Sequence, residues 1–115
     1  MKKDKFNQIP LDLAQFSLNK APIGIFWVAP NGKIKSYNDR VCDVLNYDRK
    51  EILNKNITKI ETAYDQEHRD QFWNKLKEKG LLKFETSHLT KSGNKFPVEV
   101  RSQYLEYEGE EYELI

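Results

Sequence analysis

The sequence predicts an α+β fold, a five-stranded antiparallel sheet with helices on one face and a flanking helix at the N-terminus. Three observations carry this. Asn31-Gly32 joins two short apolar runs, which is the strongest short-range hairpin signal. Helix-period segments then fill the middle of the chain up to Gly80. After Gly80 the period changes to alternation, broken by turn signals at Ser92-Gly93 and Gly109. Two strands, then helices, then three strands imply an antiparallel sheet with its helices on one side.

The elements follow in order. Residues 1–10 are polar and charged and are expected to form a flexible lead-in, leaving 11–115 as a single domain. Leu11, Ala14 and Leu18 share a helical stripe with Phe16 nearby. Pro10 suits a helix start, and the helix should end before Ala21-Pro22. Ile25–Ala29 is apolar at every position and reads as a strand covered on both faces. The sequence leaves open whether Ile25 and Trp27 or Phe26 and Val28 face the core. Lys33–Tyr37 folds back as the partner strand.

Asn38 sits where a side-chain oxygen can cap a helix carrying Val41, Val44 and Leu45 at i, i+3, i+4 spacing. Asp48 to Glu51 has the spacing of a capping box and predicts a second short helix through Leu53. Ile57 and Ile60 imply one more helical turn. Asp65–Lys79 is the longest predicted helix, with Phe72, Trp73 and Leu76 on its buried side and Gly80 as its stop. Strands are then expected over Leu81–Thr90, Lys95–Tyr107 and Tyr112–Ile115.

Composition excludes several classes. The 115 residues carry 19 basic and 18 acidic side chains, net +1, with the signs interspersed. That distribution gives no footprint for nucleic acid or an anionic membrane. No apolar run approaches the roughly 18 residues of a membrane span, and Lys2-Lys3 is not followed by a signal-peptide core. A cytoplasmic location is the expectation, and the single cysteine, Cys42, fits a reducing compartment. No nucleophile triad, paired-carboxylate motif, phosphate-cradling loop or metal spacing is present, so the domain is expected to be non-catalytic.

The motifs in order, Asn31-Gly32, Asn38, Cys42, Leu45-Asn46-Tyr47, Glu51-Ile52, Lys91-Ser92-Gly93 and Phe96-Pro97-Val98-Glu99-Val100, resemble those of the PAS sensor family. The resemblance runs from about Leu13 to Ile115. Asn46 replaces the family's usual glycine and Ser92 its usual aspartate; Asn also accepts a left-handed helix terminus. The family commonly continues into a signalling helix, so a fragment of a longer protein is expected. The resemblance implies a parent sensor histidine kinase or cyclic-di-GMP synthase, with a covalently linked output domain.

It also implies a cavity between sheet and helices, for which Val41, Leu45, Ile57, Phe72, Leu76, Val98 and Val100 are the candidate lining. Two readings stand side by side. The cavity holds a small ligand, or the same residues pack into a dry core and the domain is a structural dimerisation spacer. No cofactor is required. A haem sensor would use His68 at the start of the long helix, although its charged neighbours Glu67, Arg69 and Asp70 suit a solvated turn better. A flavin photosensor is not expected, because Lys55-Asn56-Ile57-Thr58 lacks the photoactive cysteine. Cys42 is read as a small packing residue, and His88 as a hydrogen-bonded structural one. Leu11, Ala14, Leu18 and Trp27 are the candidate interface of a parallel homodimer.

Overall fold

The computed structural model describes residues 9–115. The lead-in expected over residues 1–10 lies, apart from Ile9 and Pro10, outside the described residues. The chain forms α1 (Leu11–Lys20), β1 (Phe26–Val28), β2 (Ile34–Tyr37) and α2 (Asp39–Leu45). Two 3-10 turns, Ile57–Lys59 and Gln66–His68, lead into α3 (Arg69–Lys79). The chain closes with β3 (Leu81–Leu89), β4 (Lys95–Tyr107) and β5 (Glu110–Leu114). The sheet order is β2-β1-β5-β4-β3 and every pairing is antiparallel.

The predicted hairpin forms because Gly32 reaches a φ of 93°, a left-handed value that costs glycine little. Its backbone also lies so close to Asn56 that an added Cβ would sit 2.7 Å from that side chain's Oδ1. Asn46 ends α2 at φ 64°, the left-handed terminus expected from its place in the motif.

Three local expectations are corrected. Asn38 stands at the N-terminus of α2 but makes no cap. Its Oδ1 accepts from Ile25 N at 2.9 Å, and its Nδ2 donates to the carbonyls of Leu18 (3.0 Å) and Ile23 (2.8 Å). It is fully buried and staples the α1–β1 connection to the core. Second, 48–54 is a run of turns and not a helix. Only half of the capping box forms, as Glu51 Oε1 accepts from Asp48 N at 2.8 Å. Asn54 then takes φ 69°, which ends any helical continuation. Third, the long helix opens as a 3-10 turn, in which Asp65 accepts from His68 N, and becomes α-helical only from Arg69.

Register assigns the sheet faces. Val28 lies opposite Ile34 and Glu113, Tyr104 opposite Glu113, and Val100 opposite Phe84, all on the helix-facing side. Phe26, Val28, Ile34, Val41, Cys42, Leu45, Ile52, Ile57 and Ile60 form one buried cluster. Phe26 and Val28, not Ile25 and Trp27, therefore face the core. The outer side carries the row Trp27, Leu114, Gln103 and Leu81, one residue from each of four neighbouring strands.

Candidate functional site

Among the described residues the first half of β4 has a strand on one side only. β3 pairs with it over Lys95–Gln103, whereas β5 pairs with it only over Gln103–Tyr107. The space between this half of β4, the lead-in to β1 and helix α2 is an open cavity of about 1020 Å³ that runs through to the outer face of the sheet, where Leu18, Trp27, Leu81, Gln103 and Leu114 line it. Its helix-facing wall is apolar, with Phe26, Val41, Leu45, Phe96, Val98 and Val100 among its members. A few polar groups set in an apolar concavity are what a small-molecule site needs. Charged side chains, Arg40, Lys83, Glu99 and Arg101, are all exposed and frame its outer parts.

Of the seven expected lining residues, Val41, Leu45, Val98 and Val100 line this cavity. Ile57, Phe72 and Leu76 lie elsewhere. Ile57 and Leu76 are fully buried. Phe72 is half-buried, stacked on Tyr64 with ring centroids 4.6 Å apart and edge-on to Phe84 at 5.9 Å.

His88 is the buried polar residue on the cavity wall. Its Nε2 lies 3.1 Å from Glu61 Oε1, and both side chains are buried. The other oxygen of Glu61 accepts from Thr86 Oγ1 at 2.7 Å and from Ala63 N at 3.0 Å. Burial opposes ionisation of Glu61, but the hydrogen bonds from His88, Thr86 and Ala63 outweigh it and hold the carboxyl below its ordinary range. The hydrogen-bonded role expected of His88 is thus present, and its acceptor is Glu61.

A second polar centre was missed by the sequence reading. Arg69, read as part of a solvated turn, is only 1% exposed and pairs with the equally buried Glu113 at 2.6 Å. It also donates to Tyr64 Oη (2.9 Å) and to the carbonyls of Pro30 (3.2 Å) and Ala29 (3.1 Å). The guanidinium carbon lies 5.6–5.8 Å from the ring centroids of Tyr64, Phe72 and Trp73. Burial, reinforced by Glu113, pushes the Tyr64 phenol far above its ordinary range, so it stays neutral. Ser102 Oγ and Glu113 Oε2 are buried with no hydrogen-bond partner among the described residues. A signal did exist: Arg69 stands on the same i, i+3, i+4, i+7 stripe as Phe72, Trp73 and Leu76.

His68 is 54% exposed, and its Nδ1 lies 2.6 Å from Asp65 Oδ1, away from the cavity lining. Cys42 is buried in the core; burial pushes its thiol up, Arg49 opposes, and Asp39, Asp43 and Asp48 add to the rise. A thiol so placed is a packing group, not a nucleophile. Among the described residues no cluster of His, Cys, Asp or Glu is placed to hold a metal ion. No helix among them is long and apolar enough to cross a membrane.

The candidate interface residues lie on two neighbouring surfaces. None of the α1 residues is buried, and Leu11 (82%) and Phe16 (60%) are largely in solvent, with Leu13 and Leu18 also exposed. Ala14 is half-buried. The helix is tied to α2 by Lys20 Nζ to Asp39 Oδ2 (3.0 Å) and Asp39 N to Asn19 Oδ1 (3.1 Å). Trp27 and Leu18 share a groove of about 570 Å³ between α1 and the β1–β2 hairpin.

Comparison with known proteins agrees with this architecture. The model of the PAS domain family matches residues 22–115. The chain belongs to the PAS domain family. Among solved structures it is similar to the PAS domain of an HTR-like protein from Haloarcula marismortui, with 24% identity, a TM-score of 0.85 and coverage of 98% of this chain and 93% of that one. It is similar also to a PAS domain from a two-component sensor histidine kinase, at 22% identity and TM-score 0.78, covering 94% of each chain. A domain of a sensory box histidine kinase/response regulator from Geobacter sulfurreducens matches at 19% identity and TM-score 0.75, covering 90% of each. A search of curated proteins gives no match. PAS domains are signal-transduction modules and generally non-catalytic.

Proposed function

We propose that this domain is a sensory module that holds a small ligand in the cavity beside β4 and passes its state, through dimer packing, to a covalently linked output domain. The observation that carries the reading is the cavity itself, apolar on its helix-facing side with one buried polar residue on its wall. A ligand shifts such a module only by binding one packing state better than another. A wall shared by α2 and the sheet offers that difference, because any movement of α2 changes the ligand's contacts. The output domain we favour is a histidine kinase, in line with the kinase-derived domains among its structural relatives.

The test is to record the absorption spectrum of the purified domain and to identify its heat-released small molecules by mass spectrometry. A stoichiometric metabolite or chromophore supports the reading. A colourless protein that releases nothing, and whose amide spectrum responds to no small apolar probe, favours a ligand-free dimerisation spacer.

The dimer reading rests on the unburied apolar stripe of α1 and the outer row Trp27, Leu114 and Leu81, residues that with Leu18 also line the outer part of the cavity. We place Leu11, Ala14, Leu18 and Trp27 in that interface. Sedimentation equilibrium decides it, since a chain that stays monomeric at high concentration contradicts the assignment.

A further inference from the structure

We propose that His88 is the polar anchor of the cavity and that its Nδ1, acting as an acceptor, selects a small apolar molecule bearing one hydrogen-bond donor. The inference rests on the sensory reading above and adds the ligand class and the recognising atom.

The argument begins at Glu61. An ionised carboxylate has only acceptor oxygens. One oxygen of Glu61 is already occupied by Thr86 Oγ1 and Ala63 N, so the carboxylate is fixed in orientation. The other, Oε1, faces His88 Nε2 at 3.1 Å. The bond forms only if Nε2 carries the hydrogen, and in a neutral imidazole Nδ1 is then left with its lone pair exposed. Among the described residues no protein group bonds Nδ1, and the His88 side chain, 9% exposed, lines the cavity, so Nδ1 is open to a molecule that enters it. The ring is held edge-on to Phe26, centroids 6.4 Å apart, and lies opposite Phe96 across the β3–β4 ladder.

The result is an acceptor set into the apolar, helix-facing wall. A ligand with a hydroxyl or ring N–H satisfies it, and a purely apolar ligand leaves it unpaired. A carboxylate would bring lone pairs against a lone pair and is rejected. Glu61 follows the Ile57–Lys59 turn, and its backbone bridges to His88. A donor at Nδ1 therefore acts, through the ring, on the segment that connects α2 to α3.

The test is a titration of the ¹⁵N-labelled domain with phenol, toluene and benzoate at pH 7.5. Affinities are read from cavity amides, and the His88 ring nitrogens are followed in long-range ¹⁵N–¹H spectra. Phenol should bind and move the Nδ1 resonance while Nε2 keeps its hydrogen. Because phenol and toluene differ in hydrophobicity, the diagnostic quantity is their affinity ratio in wild type compared with His88→Phe. The preference for phenol should fall about tenfold in the variant, the size of one buried hydrogen bond. Probe binding that leaves both ring nitrogens unmoved overturns the anchor while the ligand cavity stands. Benzoate as the tightest probe, lost in His88→Phe, overturns the ligand class. Failure of all three probes to bind overturns the cavity reading together with the anchor. The ring-nitrogen measurement uses the unaltered protein, so it decides the matter even where His88→Phe folds poorly.

Discussion

Replacing Arg69 with methionine tests the main polar contact between the helical layer and the sheet. Arg69 is the cation for a carboxylate that is only 1% exposed; its Nη1 donates to Glu113 Oε1, and among the described residues Oε2 has no hydrogen-bond partner. The substitution also removes the donors to Tyr64 Oη, Pro30 O and Ala29 O. Breaking a buried pair by deleting one partner costs about 3–5 kcal/mol, since the other charge is left uncompensated. A domain of this length has on the order of 6–17 kcal/mol of total stability, so the variant should still fold at low temperature. At about 4 °C per kcal/mol, the melting temperature should fall by roughly 12–20 °C. The assay is urea and thermal unfolding followed by the near-ultraviolet signal of Trp73, which packs 5.7 Å from Tyr104. Adding Glu113→Met to Arg69→Met removes the stranded carboxylate and should restore at least about 2 kcal/mol. The reasoning is refuted if Arg69→Met costs less than about 1 kcal/mol, or if the second substitution deepens the loss.

Three further outcomes follow from other parts of the fold. Asn38→Ala removes three hydrogen bonds between a buried side chain and the backbone, and should cost about 2–4 kcal/mol. Hydrogen exchange should show the Ile25 amide losing protection more than Ile34, whose amide bonds to Lys55 O. Gly32→Ala should cost more than about 1 kcal/mol, because the backbone is left-handed there and the new methyl meets Asn56 Oδ1 at 2.7 Å; equal urea midpoints would contradict the turn geometry. For Glu61 the folded carboxyl lies below its ordinary value of 4.5. Its contribution is therefore present in full above pH 4.5 and is lost as pH falls through the folded value. Unfolding midpoints measured between pH 6 and pH 3 should decline less steeply for Glu61→Gln than for wild type. Some decline should remain, because Asp39 (held down by Lys20) and Glu51 (held down by Lys91) are also depressed.

Much of the fold is legible in the sequence because its signals are local. The Asn31-Gly32 turn, the left-handed Asn46 and the Gly80 stop each depend on the conformations open to one or two residues. Alternation of Val98 and Val100 with Glu99 and Arg101 likewise assigns the faces of β4 without knowledge of its neighbours. The predicted helix at 48–53 fails for a related reason. A capping-box spacing starts a helix only when following residues can continue it, and Asn54 instead turns left-handed so that its N–H reaches Ile34 O.

What the sequence by itself determined is the order of elements, the inward set Val41, Leu45 and Val100, and the family. The tertiary structure alone decided which polar groups meet. Asn38 finds Leu18 O across 20 residues, Glu61 finds His88 across 27, and Arg69 finds Glu113 across 44. In a linear reading each of these residues looks like a cap, a strand end or a solvated charge. Burial forces them to find partners, since a polar group removed from water must be paired inside. The partner is set by which strand lies beside which, and the β2-β1-β5-β4-β3 order places β5 between β1 and β4. Pairing over such distances leaves no periodic trace in the chain.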